Sequence, residues 1–353
     1  MKVGLVLGAG GVAGGAWLTG ALQALASETG WDPGSADHIV GTSAGSVIGA
    51  FTAAGVPPWF MVAHSQGEVF DGLVGPDGRP AADADRSGGA SFRLHRGLPG
   101  IGPGSWRLAL SSLRHPSRTT PLAMAVGWMP RGFISTEPLK NIVRRTVVGS
   151  WVEHPNFWAV ACDYATGKRV PFGREDAPPA QISDAVAASC AIPGFYHPVS
   201  IGGRRYIDGG VRSASNLDLL GGRDLDVVIC LNPTSTLSHQ RGLNPLDLMV
   251  ALNRTASGRR LGYEAKRLRE SGTKVVLIQP RDEDLAALGR NLMSGRRRDE
   301  VITAALHSVG DALREPEVAD LLGELPPGEP HKVARPDGPP SGWPQIVPGQ
   351  RAA

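Results

Sequence analysis

Two stretches of the chain, residues 3–27 and 39–63, each run for 25 positions without a charged side chain. Apolar segments of that length must be buried, either in lipid or in a protein core. Their glycines decide against lipid. Gly8, Gly10, Gly11, Gly14 and Gly15 punctuate the first, and Gly41, Gly45, Gly49 and the pair Pro57-Pro58 the second. A spanning helix built this way gives up about 1 kcal/mol at each interior glycine. Lys2 ahead of an apolar run is also how a secretory leader begins, but glycines clustered so densely make better sense as a site.

Each stretch reads instead as strand, turn, helix. Val3-Gly4-Leu5-Val6-Leu7 is a continuous apolar run, as in parallel strands covered on both faces. A glycine-rich turn and a helix over about 16–26 follow it. His38-Ile39-Val40 is a second strand, Gly41 to Gly45 its turn, and 46–54 the next helix. The repeated unit predicts an α/β fold. Further strands are expected at 157–162, 227–231 and 274–279, with a hairpin over 201–207 turned at Gly202-Gly203. Further helices are expected at 136–148, 182–189, 245–270 and 299–314, the first capped by Ser135 or Thr136.

Between about 64 and 131 the pattern gives way to Gly, Pro, Ser and Arg, too long for an ordinary loop and expected to form a partly mobile cap. Charge singles out the same region. Residues 86–136 hold Arg86, Arg93, Arg96, Arg107, Arg114, Arg118 and Arg131 and no acid, whereas the whole chain carries only +3. A mildly acidic body with one basic insertion is not the profile of a nucleic-acid-binding protein. It suits either docking on an anionic membrane surface or a solvated cap over a groove. Cys162, Cys190 and Cys230 are an odd, sparse set in apolar surroundings, which points to buried thiols in the cytoplasm rather than a disulfide scaffold. The Pro-rich segment 323–353 reads as a disordered tail.

Three motifs carry chemistry. Gly41-Thr42-Ser43-Ala44-Gly45 fits Gly-x-Ser-x-Gly between a strand and a helix, a sharp turn that lifts a nucleophilic hydroxyl out of the sheet. Gly8-Ala9-Gly10-Gly11-Val12-Ala13-Gly14 fits either a dinucleotide fingerprint or an oxyanion hole of bare backbone amides. The dinucleotide reading wants an acid at the end of the second strand, where Val40-Gly41-Thr42 stands; the neighbouring serine turn favours the oxyanion hole. Asp208, in Tyr206-Ile207-Asp208-Gly209-Gly210, ends an apolar strand, where a carboxylate is costly unless paired or functional. Taken alone, it also fits an ordinary Asp-Gly turn. Of the nine histidines none sits in a recognisable catalytic setting, although Ser43, Asp208 and His239 would follow the chain order of α/β-hydrolases.

Together with Ala188-Ser189-Cys190-Ala191-Ile192-Pro193-Gly194-Phe195, these motifs in this order resemble the patatin-like phospholipases over about residues 3–235. The resemblance implies a three-layer α/β/α sandwich around a mostly parallel central sheet. Residues 64–131 would form its basic cap, and 236–322 an α/β extension packed on the core. It implies a serine lipid acyl hydrolase with Ser43 as nucleophile, Asp208 as base and an oxyanion hole at Gly10 and Gly11. No histidine, metal or cofactor is implied; the substrate is a lipid or another acyl ester. On that reading the protein is cytoplasmic, peripheral at a membrane through residues 86–136. Two positions depart from the family pattern: Ala9 replaces a usual Gly, and Ala13 a usual Arg or Lys. The second leaves open a weakly active, lipid-binding or regulatory member. A Rossmann-type oxidoreductase is the remaining alternative.

Overall fold

The computed structural model describes residues 1–67, 92–95, 102–114, 126–147, 149–236 and 245–326. Eight strands form one sheet: β1 (Val3–Leu7), β2 (His38–Thr42), β3 (Phe157–Asp163), β4 (Arg169–Phe172), β5 (Val199–Ile201), β6 (Arg204–Asp208), β7 (Val227–Leu231) and β8 (Lys274–Ile278). Their order is β5-β6-β3-β2-β1-β7-β8, with β4 also paired to β3. The run from β3 to β8 is parallel, while β4, β5 and β6 are antiparallel additions at one side.

The strands have apolar residues at successive positions because both faces are covered. Leu5, Leu7, Ile39 and Phe157 join one core cluster with Trp17 and Leu22 of α1 (Gly11–Thr29). That cluster also takes Ala50 of α2 (Ala44–Ala53), Phe60 of α3 (Pro58–Ser65), Val186 of α6 (Ile182–Ser189) and Ile302 of α9 (Arg298–Leu313). The intervening residues Val6, Val40, Trp158 and Val228 face the other way, onto Leu261 and Leu268 of α7 (Pro245–Glu270). The period-2 alternation of strand side chains thus divides one apolar strand between two cores and yields the three expected layers.

The glycine turn is tighter than the sequence suggests. Helix α1 starts at Gly11, five residues before the expected position, so the glycine-rich segment is itself the helix's first turn. Helix α2 likewise starts at Ala44, directly after the serine. Strand β4 and helix α8 (Asp282–Leu288) carry no clear periodicity in the sequence. Of the basic insertion, Trp106–Arg114 form helix α4, with Leu108 buried among Val126, Tyr164 and Ile207. Helix α5 (Glu137–Thr146) follows, its Glu137 amide donating to the Ser135 hydroxyl at 3.2 Å. Helix α10 (Pro316–Leu322) closes the described chain. Residues 68–91, 96–101 and 115–125 of the expected cap, His239, and the tail from 327 onward lie outside the described residues.

Candidate active site

The two glycine-rich turns meet because their strands are neighbours. Strand β1 pairs in parallel with β2, Leu7 opposite Gly41, so the segments leaving both carboxyl ends emerge side by side. The order β2-β1-β7 puts later strands on both sides of β1, the arrangement in which open α/β sheets form a crevice. Ser43 sits there at φ 53°, ψ −123°, outside the comfortable regions for an L-residue. Gly45 explains why the turn holds: a Cβ there would collide with the carbonyl oxygen of Leu7, so helix α2 can lie against β1 only without one.

Strand pairing also brings Asp208 to this place. Thr42 lies opposite Val160 on one side of β3, and Asp208 lies opposite Ala161 on the other side. Ser43 and Asp208 therefore flank β3 at the same level, although 165 positions separate them in the chain. The carboxylate is buried, accepts the Gly210 amide at 2.7 Å, and has its own amide bound to the Ala191 carbonyl at 3.0 Å. Burial pushes its pKa up from the usual carboxylate range to about 6, the hydrogen bonds offered by the Gly210 amide and the Ser43 hydroxyl holding back part of the rise.

The Gly8–Gly14 turn supplies amides. Gly8 N–H donates to Leu231 O, Ala9 N–H to Ala214 O and Gly14 N–H to Gly10 O. Among the described residues, the amides of Gly10, Gly11 and Val12 meet no protein acceptor, and they stand at the positive end of α1. The β1–turn–α1 unit of the dinucleotide reading is present, but β2 ends in Gly41-Thr42 with no acid for a ribose.

Three neighbours of the site had no sequence signal of their own. The Ser189 hydroxyl accepts the Ser43 amide at 2.9 Å and donates to Val160 O at 2.6 Å, tying the serine turn to β3. Asn216 donates to the Thr42 hydroxyl at 3.0 Å, fixing the same turn from the other side. Leu292, between α8 and α9, accepts the Ala13 amide at 2.9 Å, and a Cβ on Gly11 (φ 62°) would come within 2.7 Å of that carbonyl oxygen. Ser189 lay inside a recognised motif without a role; Leu292 is remote in sequence and ordinary in type.

Ala13 faces a cleft shared with Ala287, Leu288, Arg297 and Arg298, so cations from another part of the chain stand beside the position where an Arg or Lys was expected. Arg297 is itself held by Glu300 at 2.6 Å and by Ala286 O at 2.7 Å. Several histidines have structural positions: His154 binds Ala36 O, His38 packs edge-on to Trp158, and His95 meets His197. The three cysteines are free and buried; burial raises all three thiol pKa values, that of Cys162 to about 12. Among the described residues no group of three or more His, Cys, Asp or Glu is arranged for a metal ion, and no helix is long and apolar enough to cross a membrane.

The crystal structure of VipD from Legionella pneumophila is similar at 13% identity and a TM-score of 0.42, over 92% of this chain and 67% of that one. The family model described as patatin-like phospholipase matches residues 5–220, which include the Gly8–Gly14 turn, the serine turn and Asp208. The chain belongs to the patatin-like phospholipase family.

Proposed function

We propose that the protein hydrolyses acyl esters of lipids through a dyad of Ser43 and Asp208, with the Gly10 and Gly11 amides as the oxyanion hole. The observation that carries this reading is a nucleophile in a strained turn facing a buried carboxylate of raised pKa. An ordinary Asp near 3.9 is a feeble base for a hydroxyl; at about 6 the proton transfer is less uphill, and the group is still mostly ionised at neutral pH. As Ser43 Oγ bonds to the ester carbonyl carbon, its proton passes to Asp208 and the carbonyl oxygen becomes an oxyanion. The bare amides at the head of α1 stabilise that oxygen, one such donor being worth about 10²–10³ in rate. Collapse breaks the bond to the alcohol, which leaves with the proton from Asp208. Water then attacks the acyl-serine, giving its proton to Asp208, and Ser43 is released as it regains one.

The same reading divides the chain into a catalytic core, 3–235, with 64–131 as an inserted cap and 236–322 as an α/β extension. The Leu292–Ala13 hydrogen bond supports an extension that takes part in shaping the oxyanion loop. Trp106 and Trp128 stand exposed on the cap, and Phe133 just after it, next in sequence to or near Arg107 and Arg131, which supports peripheral contact with an anionic membrane surface.

Labelling with a fluorophosphonate followed by peptide mapping tests the assignment. The expected result is modification at Ser43, lost in Ser43→Ala, and hydrolysis of a soluble ester at least about 10³-fold slower in Ser43→Ala and Asp208→Asn. Full activity in either variant refutes the dyad. No labelling and no hydrolysis by the wild type would instead favour the lipid-binding, regulatory alternative.

A further inference from the structure

Beside the candidate active site, the cap and the β5–β6 hairpin enclose a group of cationic and imidazole side chains that catalysis does not use. Backbone hydrogen bonds build it: His95 N–H to Phe133 O at 2.6 Å, Ser135 N–H to Arg93 O at 2.7 Å, and His197 N–H to Ile134 O at 2.8 Å. These bonds bring the His95 and His197 rings to 3.8 Å between centroids. Arg131 reaches in from the cap, its Nε donating to Gly104 O at 3.4 Å. Arg205 enters from β6, where its carbonyl accepts the Tyr164 amide at 2.8 Å just past the end of β3. The site therefore lies at the same carboxyl edge of the sheet as Ser43, and Arg205 is three residues, about 10 Å of strand, from Asp208.

The charges in this group are unbalanced. Arg204, next in sequence, pairs with Asp163 at 2.9 Å. Arg131 and Arg205 have no carboxylate partner among the described residues, and the His197 Nδ1 atom is buried without a hydrogen-bond partner. The charged groups around His197 are His95, Arg131 and Arg205, all of one sign when charged; burial first, and then these neighbours, hold its pKa down to about 4. Burial and Arg131 lower the Arg205 pKa in the same way. Cations gathered around one imidazole, with no carboxylate among the described residues to balance them, are unfavourable as they stand, and an oxyanion that accepts two hydrogen bonds at once from a guanidinium is the ligand that fits them.

We propose that Arg131, Arg205 and His197 form a subsite for a phosphate-type oxyanion, as presented by a phospholipid headgroup or by free phosphate. Trp128, Met129 and Phe133, exposed beside it, give the headgroup form an apolar rim suited to the bilayer interface. That form rests on the lipid-hydrolase reading; oxyanion binding itself does not.

The test has two arms. In the first, inorganic phosphate is titrated into the full chain while the His197 imidazole resonances are followed. The wild type is expected to show a saturable shift and a raised His197 pKa, and Arg131→Ala/Arg205→Ala to show neither. Because the double variant removes a mutual repulsion, it is expected to melt no lower than the wild type, and phosphate to raise only the wild-type melting temperature. In the second arm, kcat/KM for a phospholipid in mixed micelles is divided by that for an uncharged soluble ester. This ratio is expected to fall at least about tenfold in the double variant and to hold in Arg204→Ala. A phosphate shift with an unchanged ratio assigns the subsite to a soluble phosphate compound. Absence of the shift in the wild type, or its persistence in the double variant, overturns the proposal. A wild type that hydrolyses neither substrate refutes the catalytic reading and leaves the first arm standing.

Discussion

Ser189→Ala removes one oxygen from the protein and breaks two contacts at once. The hydroxyl takes the Ser43 amide at 2.9 Å and gives its proton to Val160 O at 2.6 Å, and the side chain is fully buried, so water cannot replace it. An amide or carbonyl left buried and unpaired costs about 1–3 kcal/mol. The amide carries the larger share, since it belongs to a residue already held at φ 53°, a conformation costing a further 1–3 kcal/mol or so. A loss of about 2–3 kcal/mol is expected, lowering the melting temperature by several degrees in a chain of this size. Without the tether the turn can relax, and a displacement of about 1 Å at the nucleophile is worth about 10² in rate. Thermal melting and steady-state hydrolysis of a soluble ester check both parts. The expected pattern is kcat down about 10- to 100-fold with KM little changed, because the tether aims the attacking oxygen rather than holding substrate. An unchanged melting temperature refutes the structural role. An unchanged kcat beside a lowered melting temperature refutes the link between the tether and the nucleophile.

The raised pKa of Asp208 makes opposite demands on activity and stability. If Asp208 is the base, as proposed, its ionised form is the active one, and kcat/KM should rise with pH through about 6 and then level off, as a pH–rate profile will show. A carboxyl raised in the folded state is penalised when charged, so its cost is absent below about pH 4, develops between about 4 and 6, and is complete above that. Asp208→Asn should therefore be more stable than the wild type at pH 8, by about 2–3 kcal/mol at most, and about equal at pH 3.5; urea unfolding at both values tests the sign. Gly45→Ala should fail to reach the native fold or lose more than about 3 kcal/mol, judged by soluble yield and urea midpoint, because its new Cβ meets the Leu7 carbonyl rather than a side chain that can move.

The strands and turns were legible because they are written in short-range patterns. Val3 to Leu7 could only be a strand covered on both faces, and the hairpin at Gly202-Gly203 falls where the two glycines adopt φ 55° and 75°. Helix α1 was misjudged at its start, since a run of small residues gives no apolar period to mark where helical hydrogen bonding begins. Strand β4 was missed because Arg169-Val170-Pro171-Phe172 is too short to show an alternation, and it owes its strand conformation to pairing with β3.

The sequence alone determined the layered α/β fold and the identity of a serine and an aspartate as candidates, because glycine spacing and apolar runs constrain the backbone within a few residues. It left Asp208 indistinguishable from an ordinary turn residue and Ser189 and Leu292 without a role. Their places in the fold were set by tertiary structure. The register of β6 on β3 carries Asp208 to the level of Ser43, and a hydroxyl 146 positions away holds the Ser43 amide. The burial that lifts the carboxylate toward neutrality exists only once the sheet and its helices have closed around it. Pairing, hydrogen bonding and desolvation act through space, and a local pattern records them only where the chain happens to be its own neighbour.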